Sequence, residues 1–115
     1  MIDRIKFDSF VEEYGRQFFV SEIIDDFFQG FQRRMEIIRQ HVSERNFIEL
    51  EKTTHSLRSA SCHFWDPVSL QDSIILEQKA RSCDETGLDD VYERFDVSMR
   101  SLLAELVTIR AELTV

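Results

Sequence analysis

The amino-acid sequence predicts an all-α fold, an antiparallel up-down-up-down four-helix bundle with a short additional N-terminal helix. Apolar residues recur at alternating steps of three and four in four long segments, the spacing that places them on one face of a helix. Short polar connections separate these segments, which favours folding back within one chain. The chain has only three glycines and one proline, too few to punctuate a many-stranded sheet.

The N-terminal part predicts one short and one long helix. The short amphipathic helix should end at Gly15. The long helix should begin at Ser21, a residue type that caps helix N-termini, because acidic residues follow in what would be the first turn. The apolar positions of the two helices are Phe7, Phe10, Val11 and Tyr14, then Ile24, Phe27, Phe28, Phe31, Met35, Ile38 and Val42.

Three further helices are predicted. The first carries apolar and small residues on one face from Phe47 to Phe64. The next should run from about Pro67 to Cys83, with Asp66 as its N-cap and the proline at its first position. The loop 84–87 precedes a final helix with a regular apolar stripe, composed of Leu88, Tyr92, Phe95, Met99, Leu102, Leu106, Ile109 and Leu113.

Length and composition predict one domain spanning residues 1–115. The 22 acidic and 14 basic residues give a net charge of −8, which disfavours nucleic acid and anionic membranes as partners. The two cysteines form no C-x-x-C pair, and neither a secretion signal nor an apolar run of membrane-spanning length is present. We therefore expect a cytoplasmic protein.

The residues around His55 are the candidate chemical site. His55 lies one position past the apolar stripe, so it should flank the core face and reach solvent. Arg58 and Ser59 follow by three and four residues, and Lys52 and Glu51 precede by three and four, so all four share its side of the helix. A neutral imidazole offers a nucleophilic nitrogen at neutral pH, and a nearby arginine suits the charge and geometry of a phosphoryl group. A solvated surface histidine is the simpler interpretation of His55 taken alone.

Two sequence stretches resemble histidine-containing phosphotransfer domains. The stretch His55-Ser56-Leu57-Arg58-Ser59-Ala60-Ser61 resembles the family's His-x-Leu-Lys-Gly-small-small signature. Downstream, Leu76-Glu77-Gln78-Lys79-Ala80-Arg81 resembles the Leu-Glu-x-x-Ala-Arg stretch of the following helix. The chain departs from the pattern in carrying Arg58 for lysine, Ser59 for glycine, and the bulky residues His63, Phe64 and Trp65 where small residues are common.

The resemblance implies a function and a set of roles. His55 would accept a phosphoryl group reversibly from the aspartate of a response-regulator receiver domain, as a carrier rather than an autonomous enzyme. Arg58 would stabilise the phosphoryl charge, with Ser59 as the small residue beside the site. Similarity places Glu77 and Arg81 near the acceptor, although a surface pair four residues apart is equally consistent with the sequence. Lys52 and Cys62 are further candidate contacts with the phosphoryl group or the partner.

The resemblance also implies the partners and cofactors. These partners are receiver domains and a sensor or hybrid histidine kinase, and the chain is expected to act as a monomer. No cofactor of its own is expected, because the receiver would bring Mg²⁺. No metal site is expected either, since His55, Cys62 and His63 do not form a ligand set with helical geometry. Two alternatives stay open: a bundle that docks on and inhibits a receiver or kinase, with His55 incidental, and an unrelated helical adaptor.

Overall fold

The computed structural model describes all 115 residues, and every regular element in it is helical. The prediction of an all-α chain is therefore confirmed. Five α-helices are connected by a helical turn (Arg16–Phe18), a π-helical segment (Phe19–Ile24) and a 3₁₀ turn (Cys62–Phe64). The five are α1 (Arg4–Tyr14), α2 (Asp25–Glu44), α3 (Phe47–Ser61), α4 (Pro67–Arg81) and α5 (Leu88–Leu113). None of them combines the length and the apolar character needed to cross a membrane.

Ion pairs between helix ends show the relative direction of two of the long helices. Arg110 near the end of α5 binds Asp25 at the start of α2, and Arg45, just past the end of α2, binds Asp89 at the start of α5. Helices α2 and α5 are therefore antiparallel. Each of the four long helices packs against two others, since α3 contacts α2 and α4, and α5 contacts α4 and α2. The 26-residue α5 is about 39 Å long at 1.5 Å per residue, which accounts for most of the 45 Å long axis of the molecule.

The core is built largely from phenylalanine. Six of the ten phenylalanines are fully buried within a cluster of 21 buried apolar residues. In α2 the buried stripe matches the predicted one except at Phe28, which is only half-buried because Phe27 takes the core position. Helix α1 closes one corner, where Phe7 packs edge-on to Phe19, and Phe19 packs edge-on to Phe64 of the 3₁₀ turn. The N-terminal helix thus joins the same core as the long helices.

The helix boundaries are set by caps and by left-handed residues. Asp3 and Asn46 accept hydrogen bonds from the amides of Lys6 and Glu49, which caps α1 and α3. As predicted, α1 ends at Gly15, whose φ of 90° lies in the left-handed region that favours glycine. Gly30 lies in the interior of α2, and the guanidinium of Arg34 lies next to it, on the side where a larger residue would have its Cβ. A Cβ at that position would lie 3.3 Å from the Arg34 guanidinium.

Two capping predictions are wrong. Ser21 does not cap a helix, because helical structure already begins at Arg16 and Ser21 lies within the π-helical segment, donating to the carbonyl of Gln17. Asp66 precedes α4 and Pro67 occupies its first position as expected, but the Asp66 carboxylate does not cap α4. It accepts a hydrogen bond from the backbone amine of Met1 instead. Helix α4 also ends at Arg81, two residues before the predicted Cys83.

Candidate functional site

Helix α3 presents His55 at the edge of its buried face. Thr54, the residue before His55, is fully buried against the other helices, as is Leu57. The helical rotation of about 100° per residue therefore carries His55 to the rim of the core, where its side chain is 56% exposed. The imidazole is thus held on a rigid helix with one edge against the protein and one edge open to solvent.

Helix α4 supplies a buried carboxylate to the imidazole. The side chain of Glu77 is only 5% exposed, and its Oε1 atom lies 2.8 Å from Nδ1 of His55. One helical turn further along α4, Arg81 binds Glu51, which is one turn before His55 on α3. Residue numbers therefore rise along α3 as they fall along α4, and the two helices are antiparallel. This arrangement brings together residues 22 positions apart in the sequence.

The Glu77 carboxylate also determines which nitrogen of His55 carries the proton. An ionised carboxylate only accepts hydrogen bonds, so the 2.8 Å contact requires a proton on Nδ1. A guanidinium only donates, so the Arg58 Nη2 atom, 3.0 Å from Nδ1, is a close neighbour rather than a hydrogen-bond donor to it. The lone pair of the neutral ring is then on Nε2, which has no hydrogen-bond partner within the protein.

Two arginines neutralise Glu77. Arg58 Nε donates to Glu77 Oε2 at 2.7 Å, and Arg81 donates to Glu77 Oε1 at 3.3 Å. Burial by itself would raise the pKa of Glu77, but the hydrogen bonds from Arg58 and His55 outweigh burial and lower that pKa below its usual value. Glu77 is therefore ionised at neutral pH. The sequence left open whether Glu77 and Arg81 are an ordinary surface pair, and burial rules this out for Glu77.

Three of the candidate residues lie outside this network. Lys52 is exposed and pairs with Glu49 on its own helix, with an Nζ to Oε1 distance of 3.7 Å. Ser59 is exposed, and its carbonyl accepts a hydrogen bond from the Cys62 thiol at 3.0 Å. The Cys62 side chain is exposed. It lines a groove of about 540 Å³ beside α1, together with the aromatic side chains of Phe10, His63 and Trp65.

The sequence placed Glu51 on the same side of the helix as His55 but assigned it no role. Its carboxylate accepts from Arg81 at 3.2 Å and completes the chain of charges His55, Glu77, Arg81 and Glu51. The spacing of four residues from His55 predicts the shared helix side, but the contact with Arg81 depends on how α4 packs against α3. The structure contains no group of three or more histidine, cysteine, aspartate or glutamate side chains placed to hold a metal ion.

The arrangement is that of an oriented nucleophile. A buried anion fixes the tautomer and the rotation of an exposed imidazole, and two cations neutralise the anion. Comparisons of the chain with protein-family models, with curated proteins and with solved structures find no match. The function is therefore inferred from the geometry of the site together with the sequence resemblance.

Proposed function

We propose that this chain is a phosphorelay carrier that accepts and donates a phosphoryl group on His55. It exchanges the group with the aspartate of response-regulator receiver domains, in the manner of histidine-containing phosphotransfer domains. Helices α2 to α5 form the corresponding up-down-up-down four-helix bundle, with α1 as the additional N-terminal helix. The antiparallel pairing of α2 with α5 and of α3 with α4 supports this topology.

The observation that carries the proposal is the hydrogen bond between Glu77 and Nδ1 of His55. A buried carboxylate is costly to keep, and an incidental surface histidine does not need one. The carboxylate leaves Nε2 as the free nucleophile and keeps the ring in one orientation. A nucleophile positioned by a buried partner, at the edge of an exposed surface, is what transfer to and from another protein requires.

In the transfer step, an N–P bond to His55 replaces the P–O bond to the receiver's aspartate. The Nε2 lone pair of His55 attacks the phosphorus of the receiver's aspartyl phosphate, forming an N–P bond. The P–O bond to the aspartate breaks, and its electrons return to the aspartate carboxylate. The Nδ1 proton stays on the ring, and the positive charge that develops on the imidazole is stabilised by ionised Glu77 at 2.8 Å. The reverse reaction returns the group to an aspartate by the same steps.

Arg58 has the second role. Its guanidinium lies against the imidazole while one of its nitrogens binds Glu77. The remaining donors are available to the equatorial oxygens of a phosphoryl group, which carry most of the charge in the transition state. Arg81 is linked to the same carboxylate and holds Glu77 in place. Mg²⁺ would be brought by the receiver, and a sensor or hybrid histidine kinase would be the upstream source of phosphate.

Phosphoryl transfer from a panel of phosphorylated receiver domains tests the proposal. We expect an acid-labile, base-stable label on the wild type and none on His55→Gln. The matched control is His63→Gln, since His63 is also exposed but stacks on Phe10 and has no carboxylate partner; this variant should keep the wild-type label. NMR of the phosphorylated protein should show the phosphoryl group on Nε2 of the ring.

The same experiment separates the proposal from its rivals. If no receiver labels the wild type, but the wild type and His55→Gln bind receivers equally tightly, the chain is a docking inhibitor. A wild type that neither binds nor accepts phosphate would show an unrelated helical adaptor. Label on Nδ1 would contradict the role given to Glu77.

A further inference from the structure

The outer face of α1 is an exposed strip that no other part of the chain covers. Ile5 is 86% exposed at its start, and Trp65, which follows the 3₁₀ turn, is 38% exposed beside it. Between them lies a shallow groove of about 440 Å³. We call this surface the α1 strip; its residues are Ile5, Lys6, Ser9, Phe10, Glu13 and Trp65.

The α1 strip carries two opposite charges without partners. Arg4, on the other side of α1, is paired with Asp8 and with Glu112, whereas Lys6 and Glu13 form no ion pair within the chain. Lys6 instead lies over the Trp65 ring, 5.5 Å from its centroid. Glu13 is seven positions after Lys6, so the two lie on the same face of the helix about 10 Å apart along it.

The charged residues of α1 are placed unfavourably with respect to its helix dipole. Beyond its N-cap, the first turn holds basic residues and no acidic one, and the last turn holds acidic residues and no basic one. Each such charge interacts unfavourably with the helix dipole. The order of the charges therefore does not stabilise α1 within the single chain, and it points to a partner outside the chain.

We propose that the α1 strip is the interface of a weak homodimer, in which α1 packs antiparallel to α1 of a second copy. A two-fold axis near Ser9 brings Lys6 of each copy opposite Glu13 of the other, forming two ion pairs. The antiparallel arrangement also places the N-terminus of each helix beside the C-terminus of the other, which reverses the unfavourable charge–dipole order. Ser9, the small residue at the centre of the strip, allows the two helices to approach closely.

Charge complementarity selects a second copy over a different partner. The strip is positive at one end and negative at the other, so a two-fold operation matches each end to its complement. A uniformly acidic or basic partner would be repelled at one end. Because an 11-residue helix is only about 16 Å long, the contact falls in the size range of weak and transient interfaces.

The proposal replaces the expectation of a monomer and is independent of the phosphoryl-transfer proposal. His55 is not one of the residues of the α1 strip, so the proposed interface does not include the imidazole. Loss of phosphoryl transfer would leave the dimer proposal intact, and a monomeric protein would leave the transfer proposal intact.

Sedimentation equilibrium tests the dimer at protein concentrations between about 10 µM and 1 mM. This range detects dissociation constants of the same size, which correspond to binding free energies of about 4 to 7 kcal/mol. The buffer contains a reductant, because Cys62 and Cys83 are exposed thiols. We expect the wild-type mass to rise with concentration from 13.7 kDa towards twice that value. Ile5→Glu should weaken association by at least about tenfold. Because that side chain is exposed, the fold should be kept, as circular dichroism can verify.

Charge reversal tests the antiparallel arrangement. Lys6→Glu and Glu13→Lys should each weaken association by about tenfold or more, because each change creates two like-charge contacts. Combining both changes in one chain should restore association to within about threefold of the wild type. The control Val107→Glu alters an exposed aliphatic residue of α5 outside the strip and should have no effect.

Three results would overturn the proposal. The first is a wild-type mass of one chain at every concentration, which would assign the strip to another kind of partner. The second is association that Ile5→Glu does not weaken. The third is a doubly reversed chain that associates as weakly as the single variants.

Discussion

At the scale of residues, the site depends on how the cost of burying Glu77 is offset. Removing a carboxylate from water costs several kcal/mol unless donors replace the lost hydration. Glu77 receives such donors from Arg58, Arg81 and the Nδ1 proton of His55. The imidazole is therefore part of the arrangement that keeps the carboxylate ionised, and the carboxylate in turn fixes the imidazole.

Replacing Glu77 by glutamine should slow phosphoryl transfer without removing the acceptor. The amide keeps the shape of the side chain but loses the charge that, in the proposed transfer step, stabilises the developing imidazolium. A charge-assisted hydrogen bond is worth about 1.5 to 3 kcal/mol, so we expect the transfer rate to fall about 10- to 100-fold. Rapid-quench kinetics with a phosphorylated receiver would measure it. Glu51→Gln, which changes the carboxylate beyond Arg81 but not the imidazole contact, should stay within about threefold of the wild type.

The stability of the fold should depend on pH through Glu77. Burial would raise the pKa of Glu77 above the ordinary value of 4.5, but the hydrogen bonds from Arg58 and His55 and the charges of these residues together lower that pKa in the folded protein. The folded state therefore binds this proton less readily than the unfolded state does. The stabilisation is present above the ordinary pKa and is lost as pH falls through the lower, folded-state pKa.

Urea unfolding between pH 7 and pH 3 would measure this dependence. The free energy of unfolding should fall less steeply with acidification in Glu77→Gln than in the wild type. Glu12→Gln alters an exposed carboxylate on α1 and should keep the wild-type slope. Equal slopes for the wild type and Glu77→Gln would contradict the lowered pKa.

The sequence predicts part of this site. His55 and Arg58 follow from helical spacing, and the resemblance placed Glu77 and Arg81 near them. The role of Glu77 as the hydrogen-bond acceptor of Nδ1 was not predictable from spacing, since it depends on the distance between α3 and α4. Lys52 shares the helical side of His55, but its flexible side chain pairs with Glu49 instead.

At the scale of elements, the predicted and observed helices differ most before α2. The chain is helical from Arg16 through the π-helical segment to Glu44, where the sequence predicts a helix that begins at Ser21. Phe19 and Val20 are buried and continue the apolar face, but the extra residue in the π-helical turns shifts their phase away from the α-helical period. A pattern search based on 3.6 residues per turn therefore misses this part of the element.

Two glycines provide a matched test of the element boundaries. Gly15→Ala should destabilise the protein by about 1 to 3 kcal/mol, because the φ of 90° and ψ of 139° are unfavourable for any residue with a Cβ. Gly30→Ala should be neutral or stabilise by up to about 1 kcal/mol, because alanine favours the helix interior and only the flexible end of Arg34 must move. Thermal and urea unfolding would measure both. An equal loss in the two variants would contradict this assignment.

At the scale of the whole molecule, Phe64 connects elements that are distant in the sequence. It lies in the 3₁₀ turn between α3 and α4 and is fully buried. Its ring packs edge-on to Phe19 of the π-helical segment and to Phe27 of α2. The sequence predicts Phe64 as the last stripe residue of the third long segment, but the partners of its ring depend on tertiary packing and were not predictable.

Phe64→Ala should destabilise the protein by about 3 to 5 kcal/mol, the cost of removing a buried aromatic ring and leaving a cavity. Phe18→Ala is the control, because Phe18 is 48% exposed and is not part of the buried core; its loss should cost less than about 1 kcal/mol. Chemical denaturation of the two variants would compare them. A cost for Phe64→Ala no greater than that for Phe18→Ala would show that the corner formed by α1 is not part of the cooperative core.

The link between His55 and Glu77 also bears on how often a collision with a partner succeeds. A histidine side chain that rotates freely must be ordered in each encounter, at a cost of about 0.5 to 1.5 kcal/mol for an immobilised side chain. In this protein the ordering is completed during folding, since Glu77 is held by two arginines before any partner arrives. A cost of that size corresponds to roughly a two- to tenfold change in the fraction of productive encounters. In the proposed phosphorelay, short-lived complexes would therefore still allow transfer, because His55 needs no rearrangement during the brief time in which the two proteins are in contact.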